Sequence, residues 1–373
     1  MQPDNSLVNR LEYSLKILKG AITTTTFYEV GSGLEAKKQF SYIQVATGQG
    51  VYAWVDYNSN GIKELNEFEV SPFPDQANYI RIFTPTLDFV KTYSNQFNQV
   101  LNISAEKFFK DKKKGIKKFI ARFSNQTTYR IERKTTKDNI LEAINPFLQA
   151  VNSPELLTLN SSARNTFYFN RNDPVYGIDF NWQDVRSKTL MVNGFDNRTN
   201  KFTSIRSRYN ITPKITVNLD LKRGNKSSGS EFLSTRNFNI TYYELEPRFI
   251  YQPGATFRLA LSYNIARKQN VADLGGQRSI NQNAGIEIKY NQLNKGSLQL
   301  KFNYINIAFN AQPNSPLAYE MLEGLRAGQN ITWNLTYQRN LGSNLQMNLT
   351  YDGRRAQGVK TVHTGGMQLR ALF

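Results

Sequence analysis

One segment of the sequence carries oxygen-bearing side chains at the spacing of a calcium-binding loop. Asp56, Asn58 and Asn60 precede Gly61, and Glu67 completes the pattern D-x-[DN]-x-[DN]-G-x5-E. Calcium prefers hard oxygen ligands, and the glycine permits the sharp turn that brings them together. The spacing therefore predicts a calcium site. Its predicted ligands are the side chains of Asp56, Asn58, Asn60 and Glu67 and the backbone carbonyl of Ile62, with Glu64 acting through water.

The flanks of this loop differ from those of an EF-hand, in which a helix stands on each side. Residues 51–55, VYAWV, are predicted to form a strand, and Pro72 and Pro74 follow the loop. A competing interpretation is an Asn/Gly-rich turn that is held by its own side chains and needs no ion. Because two neutral Asn stand among the ligands, a calcium site here would bind weakly, as extracellular sites do.

Residues for catalysis are scarce. His363 is the only histidine, and the chain has no cysteine. No Ser-His-Asp set, His-rich metal cluster or thiolate site is therefore evident. The sequence also lacks a P-loop, a GxGxxG dinucleotide fingerprint and an HExxH motif. We predict that the protein is not an enzyme.

The elements that would position the calcium loop are strands. Ile215, Val217, Leu219 and Leu221 alternate with polar residues, and the same pattern recurs near 176–182, 257–265, 298–304, 331–337 and 345–351. A period of two places one set of side chains on each face of a sheet. Repeated segments of about ten residues, apolar on one face and polar on the other, predict an all-β fold, a transmembrane antiparallel β-barrel or part of a larger barrel.

The C-terminus shows the same alternation. Met367, Leu369, Ala371 and Phe373 fall on one strand face, and the sequence stops on the aromatic residue. This ending is typical of outer-membrane barrels, whose last strand closes the barrel and serves as an assembly signal. The barrel-assembly machinery is therefore a predicted partner.

The links between these strands alternate in length. Short links are predicted near 172–174, 212–214, 252–254, 294–296 and 342–344, and longer ones near 193–199, 226–234, 270–278, 310–327 and 353–359. Outer-membrane barrels have short periplasmic turns and longer extracellular loops. The count is about 13 strands from residue 88 to the end, and about 14 if residues 7–31 form a single strand. A turn at Lys19-Gly20 is the alternative.

Composition agrees with strands rather than helices as membrane spans. No apolar run of about 18 residues is present, so no transmembrane helix is predicted. The 20 Tyr and 24 Phe suit the two membrane interfaces. The net charge is +18, and we expect the Lys and Arg residues to line a polar lumen or to meet anionic lipid headgroups. The densest basic run, residues 107–118, lies between two strands and predicts a solvated turn, so no nucleic acid partner is predicted.

The N-terminus lacks the basic start and apolar core of a secretory signal peptide. We expect either that a signal was removed or that the chain is the C-terminal part of a longer one. The second is favoured because strand-like alternation begins as early as Leu11. The predicted domains are 1–34, barrel strand or strands; 35–87, a small extracellular insertion with the calcium loop; and 88–373, the remaining strands.

Three segments carry a family resemblance. Residues 48–86, GQGVYAWVDYNSNGIKELNEFEVSPFPDQANYIRIFTPT, the final HTGGMQLRALF, and residues 314–328, NSPLAYEMLEGLRAG, resemble segments of large outer-membrane β-barrel proteins of Bacteroidota. The resemblance extends from about residue 7 to the end. It implies the outer membrane of a Gram-negative bacterium and similarity to the C-terminal part of a longer protein, and it leaves the function open.

We predict an outer-membrane pore or a transport or translocation component, because strands so polar on one face imply a hydrated or plugged lumen. The alternative is a non-transporting surface receptor, adhesin or assembly partner that displays residues 35–87 and 310–327. A soluble all-β binding protein is a third interpretation. The predicted partners are outer-membrane lipid, the barrel-assembly machinery and other outer-membrane proteins, and calcium is the predicted cofactor.

Overall fold

A computed structural model describes residues 8–109, 115–136, 140–148, 153–192, 194–293, 295–342 and 344–371. Antiparallel β-sheet dominates these ranges. In chain order the strands are β1 Val8–Ile17, β2 Ile22–Gln44, β3 Tyr52–Trp54, β4 Phe68–Val70, β5 Tyr79–Ser104, β6 Phe123–Thr135, β7 Leu156–Phe169, β8 Tyr176–Met191, β9 Gly194–Thr212, β10 Ile215–Ser230, β11 Phe238–Tyr251, β12 Phe257–Asn270, β13 Arg278–Gln292, β14 Gly296–Phe309, β15 Gly328–Asn340, β16 Leu345–Ala356 and β17 Val362–Ala371. The helices are α1 Ala105–Phe108, α2 Ile116–Ile120, α3 Ile140–Ile144 and α4 Pro316–Leu322.

All strands except β3 and β4 form one wall, in which each strand is antiparallel to the next along the chain. β2 pairs with β1 on one side and, across the insertion, with β5 on the other. Within the described residues no register joins β1 to β17. The two margins of the wall are therefore β1 and β17.

The outer face of the wall is apolar on β8 to β11. On β8 it carries Phe180, which lies in register with Ile205 on β9, Leu221 on β10 and Leu245 on β11. These four side chains are between 38% and 44% exposed. A continuous apolar surface of this kind indicates contact with a membrane rather than with water.

The inner face of the same strands is polar. It carries Asp220 on β10, whose carboxylate accepts a hydrogen bond of 2.7 Å from Arg206 on β9, and Lys222, which pairs with Glu244 on β11 at 3.3 Å. The alternation in the sequence thus corresponds to two faces of one wall. The predicted fold, an all-β transmembrane antiparallel barrel or part of a larger barrel, is confirmed.

The last strand has the predicted facing. Met367 and Leu369 on β17 point outward and are 68% and 55% exposed, and their register partners are Leu349 and Met347. Gln368 lies on the opposite face. Phe373, the terminal aromatic residue, lies outside the described residues.

The predicted lengths of several links are wrong. β9 begins at Gly194, β10 continues to Ser230 and β16 continues to Ala356, so much of 193–199, 226–234 and 353–359 is strand. Most residues in these ends of β9, β10 and β16 are polar on both faces, so their sequence resembles that of a loop. The links predicted near 270–278 and 310–327 are present between strands.

The N-terminal region also differs from the single-strand prediction. β1 and β2 are separate strands joined by a turn at Leu18–Gly20, where Lys19 and Gly20 adopt φ of 57° and 83°. The wall therefore has one strand more than the count of about 14. The insertion is shorter than 35–87, because β2 and β5 stay paired up to Gln44 and Tyr79. Of the predicted insertion, residues 45–78 lie outside the wall, and we call them the cap.

The basic run lies in the link between β5 and β6. Lys107 belongs to α1, Lys117 and Lys118 belong to α2, and all three side chains are exposed. Residues 110–114 of the run lie outside the described residues. In the part of the chain that is described, no helix is both long and apolar enough to cross a membrane.

Candidate functional site

The cap is a small packed module that continues the β2–β5 hairpin. β3 and β4 form a short hairpin within it. The Phe68 ring stacks on that of Tyr42 in β2 with centroids 4.0 Å apart, and it meets the Tyr79 ring edge-on at 5.0 Å. Phe68 and Ala53 are buried. The cap is therefore anchored to the wall through aromatic packing at the end of its supporting strands.

A partly buried arginine joins the cap to the link between β10 and β11. Arg236 donates to a Glu69 carboxylate oxygen at 2.7 Å and to the backbone carbonyls of Asn66 and Phe68 at 2.9 and 3.0 Å. The Tyr57 hydroxyl donates to the other Glu69 oxygen at 3.0 Å. Burial raises the pKa of the Glu69 carboxyl, and the Arg236 charge and the Tyr57 hydrogen bond oppose that rise. We call this contact the Arg236 latch.

A second arginine holds the opposite side of the cap. Arg354, on the inner face of β16, donates to the Asp75 carboxylate at 2.6 Å and places its guanidinium 4.5 Å from the centroid of the Phe73 ring. In strand order the β10–β11 link that carries Arg236 lies far from β2 and β5, from which the cap emerges, whereas β16 is separated from β2 by β17 and β1 at the margins of the wall. We call the contact with β16 the Arg354 latch, and together the two latches show that the cap extends across the mouth of the barrel.

The link between β14 and β15, residues 310–327, turns into the lumen. Ala318 and Leu322 of α4 pack against Ile305 and Ile307, which lie on the inner face of β14. The α4 helix begins at Pro316, where the Ser315 side chain accepts a hydrogen bond from the Ala318 amide. We call residues 310–327 the plug segment, because its apolar face is buried against the inside of the wall.

Inner-face side chains fix the end of α4. Lys268 on β12 donates to the Met321 carbonyl at 3.0 Å and pairs with Glu323 at 2.5 Å. Asn281 on β13 donates to the same carbonyl at 3.1 Å. The carbonyl oxygens in the last turn of a helix lack partners within the helix, and these two donors hydrogen-bond the one of Met321. They thereby hold the plug segment in one place.

The cap and the plug segment touch each other. The Asn314 side chain donates to the Tyr57 carbonyl at 2.8 Å. At Gly324, whose φ is +72°, a Cβ atom would stand 2.7 Å from Cγ of Pro72, so the Pro72 ring lies closer to the Gly324 backbone than a residue with a side chain would allow. The mouth is thus covered by two segments in direct contact.

Below the plug segment the lumen remains polar. A cavity of about 340 Å³ there is lined by Glu246, Arg248, Asn264 and Glu287 among others. Arg248 pairs with Glu246 at 2.5 Å, and Glu287 pairs with Lys289 at 2.9 Å. Polar walls of this kind favour water, which agrees with the predicted hydrated or plugged lumen.

The predicted calcium ligands lie in the cap on one loop. Asp56 accepts hydrogen bonds from the amides of Asn60 and Gly61 at 3.2 and 2.9 Å, and Asn58 accepts from the Asn60 amide at 3.0 Å. Asn60 in turn accepts from the amide of Ile62 at 2.6 Å. These bonds suffice to hold the turn without an ion, as the competing interpretation requires.

The remaining predicted ligands have other partners. Glu67 is fully buried, and its carboxylate accepts from the Trp54 indole at 2.8 Å and from the amides of Tyr57 and Glu64 at 3.2 and 3.3 Å. The Glu64 carboxylate accepts from the Asn58 amide group at 2.9 Å. In the described part of the chain no set of three or more His, Cys, Asp or Glu is arranged to hold a metal. The oxygen donors suit calcium by type, and calcium binding stays a prediction.

Sequence reasoning missed the residues that close the mouth. Arg236, Lys268 and Arg354 act through partners that are 167, 55 and 279 positions away in the chain. A sequence pattern records neighbours along the chain, so it contains no signal for these pairs. Only the amphipathic α4, begun by Ser315 and Pro316, could have been recognised in advance.

No family model and no curated protein matches this chain. Among solved structures, CdiB from Acinetobacter baumannii aligns with a TM-score of 0.41 and 11% sequence identity, over 91% of this chain and 60% of CdiB. The outer membrane channel DcaP of Acinetobacter baumannii aligns with a TM-score of 0.38 and 6% identity, over 92% of this chain and 97% of that channel. The chain thus spans 60% of the length of the CdiB chain that it matches.

Proposed function

We propose that this chain forms an outer-membrane barrel that acts as a gated pore or as a transport or translocation component. The observation that carries the proposal is the construction of the mouth. A polar, ion-paired lumen is covered by a cap whose contacts with the opposite wall are hydrogen bonds and ion pairs. Such contacts can exchange with water, whereas an apolar core would fix the cover permanently.

The placement in a membrane is supported by the order of side chains along the outer face. On β10 the outward residues are apolar from Ile215 to Leu221. Trp182 and Tyr243 lie outward beyond the extracellular end of this belt, and Tyr209 and Tyr251 lie near its other end. Aromatic girdles on both sides of an apolar band are typical of outer-membrane barrels. The cap then lies on the extracellular side.

A non-transporting role is the second candidate, and one observation favours it. The cap exposes Val51, Ile62 and Val70, which are 52%, 63% and 48% exposed. Exposed apolar side chains on an otherwise polar module are typical of binding surfaces. A receptor, adhesin or assembly partner could use this surface while the lumen stays closed. Conductance of variants with broken latches separates the two functions.

The orientation of the barrel can be tested with single cysteines, because the natural chain has none. Gln312 in the plug segment and Lys214 in the β9–β10 turn are both exposed and lie at opposite ends of the wall. On intact cells a membrane-impermeant maleimide should label Gln312→Cys and leave Lys214→Cys unlabelled. After the outer membrane is permeabilised, both should react. Labelling of Lys214→Cys alone on intact cells would mean that the orientation is reversed.

We also propose that the 56–67 loop binds calcium weakly on the extracellular side. Lys63 lies in this loop and is exposed, so trypsin can report on the state of the loop. With a dissociation constant of about 1 mM, 10 mM calcium should slow cleavage after Lys63 about tenfold, because the ion binds only the folded loop.

The ratio of the cleavage rate with chelator to the cleavage rate with calcium should fall to about one in Asp56→Asn, which removes a charged ligand. Asn66→Ala is the matched control, because its side chain is not a predicted ligand, and it should keep the wild-type ratio. Equal rates with and without calcium in the natural protein would leave the loop as a turn held by its own side chains.

A further inference from the structure

The outer face of the wall carries a groove that the capped lumen does not explain. The groove has a volume of about 780 Å³ and extends across β8 to β12. Its floor consists of apolar side chains that register places in one cross-strand row. They are Phe180, Ile205, Leu221, Leu245 and Ile265.

Two arginines bound the groove on its extracellular side. Arg223 on β10 and Arg267 on β12 lie in the next row, with Tyr243 of β11 between them, and both are exposed. The Arg223 guanidinium lies 5.4 Å from the centroid of the Tyr243 ring. Because neighbouring strands are about 4.8 Å apart, the two arginine Cα atoms are about 10 Å apart. Both guanidinium groups can therefore converge on one anion.

In the part of the chain that the structure describes, these two charges have no carboxylate partner. Among the described residues neither Arg223 nor Arg267 forms an ion pair, whereas most other charged residues of these strands do. Lys222 and Glu244 also border the groove, but their side chains lie on the inner face of the wall. There they pair with each other. The outward carboxylate of Asp184 is held by Arg186 and Lys201 at 2.6 and 3.6 Å.

The height of the arginines agrees with a lipid headgroup. Their row continues through Thr203 to Trp182, which belongs to the outer aromatic girdle. Aromatic girdles mark the level at which headgroups meet acyl chains. A positive charge just above an apolar belt is costly in a bilayer unless an anion accompanies it, and lipid phosphate is the anion present at that depth.

We propose that this groove binds one phosphate-bearing lipid of the surrounding leaflet. The phosphate lies between Arg223 and Arg267, and an acyl chain lies along Leu221, Leu245 and Ile265. Arginine suits phosphate because its planar guanidinium can donate two parallel hydrogen bonds. A lipid matches the groove better than free phosphate does, since the apolar floor adjoins the charged end directly. The proposal rests on the membrane placement proposed above.

The test uses the full chain folded in detergent and titrated with dioleoyl phosphatidic acid, with bound lipid counted by native mass spectrometry. One lipid should bind with an affinity well above that of dioleoylglycerol, which lacks the phosphate, or of inorganic phosphate, which lacks the chains. Arg223→Gln and Arg267→Gln should each weaken binding about fivefold, and the double variant about 25-fold, because each basic residue near a membrane surface contributes about 1 kcal/mol.

Arg198→Gln is the matched control. It removes the same charge from neighbouring β9, but Arg198 shares the inward side of that strand with Arg206, so the affinity for the lipid should not change. Wild-type affinity in the double variant, or equally tight binding of dioleoylglycerol, would overturn the proposal. Heat-modifiable gel migration, measured for every sample, separates failure of the groove proposal from failure of the proposed barrel. A folded barrel with unchanged lipid affinity rejects the groove alone, whereas a chain that shows no heat-modifiable migration rejects the barrel as well.

Discussion

Breaking both latches should turn a closed barrel into a conducting one. Arg236→Gln and Arg354→Gln remove the donors that hold the cap to the link after β10 and to β16. A hydrogen bond to a charged group contributes about 1.5–3 kcal/mol. A combined loss of about 3 kcal/mol shifts the ratio of open to closed molecules about 150-fold. In planar bilayers we expect the double variant to open frequently under conditions in which the natural chain stays closed.

A reversible version of this experiment separates opening of the mouth from general loosening of the fold. In Arg236→Gln/Asp75→Cys/Arg354→Cys the Arg236 latch is broken and the Arg354 latch is replaced by two thiols in a chain with no other cysteine. A cleavable bifunctional thiol reagent should close the pore, and reduction should reopen it. Arg206→Gln, which removes an inner-face charge that pairs with Asp220 and contacts neither latch, is the control and should stay closed. Equal conductance in the bridged and reduced states would contradict gating by the cap.

If no latch variant conducts, the lumen is permanently closed and the non-transporting role becomes the better explanation. The plug segment then matters more than the cap. Lys268 and Asn281 hold α4 against the inner face independently of both latches, through the carbonyl of Met321. A barrier that survives loss of the cap would therefore map to residues 310–327. Deletion of residues 310–327 would then be the next experiment before a pore is rejected.

The two faces of the wall could be predicted because β-structure has a period of two. Met347 and Leu349, for example, need only their neighbours in sequence to be placed outward, and the register of β16 with β15 and β17 confirms that placement. The turn at Lys19-Gly20 was identified only as an alternative, since Leu18 and Lys19 adopt positive φ without being glycine. The side-chain pattern carries little information on such a turn.

The closure of the mouth could not be predicted for a different reason. Glu69 is buried and charged in the cap, and its partner Arg236 lies in a short link that nothing in the local sequence distinguishes from a solvated loop. The plug segment was placed correctly between strands, but its direction depends on Ile305 and Ile307. These two inward residues break the expected polar pattern of β14 because they pack against α4. These two apolar residues on the polar face of β14 are the feature of the sequence that could have predicted the inward direction of the plug segment.

The second large effect concerns the lipid-facing positions of β15. Leu335 lies in register with Leu300 on β14 and Tyr351 on β16, in the middle of the outer apolar belt. Leu335→Arg should lower the free energy of unfolding by about 2–4 kcal/mol, the usual cost of a cation near the midplane of a barrel's lipid face. The measurement is equilibrium urea unfolding of the barrel from lipid vesicles.

Asn334→Arg is the control that assigns this cost to the membrane. Asn334 is the neighbour of Leu335 in sequence but lies on the inner face, where its amide group donates to the Asp352 carboxylate at 2.7 Å. An arginine at 334 would keep a donor close to Asp352 and stay in a polar lumen, so its effect should be within about 0.5 kcal/mol of zero. The two substitutions add the same charge one residue apart, and only the facing of the side chain differs. Similar destabilisation by both would mean that β15 does not separate lipid from lumen, and the barrel assignment would fail with it.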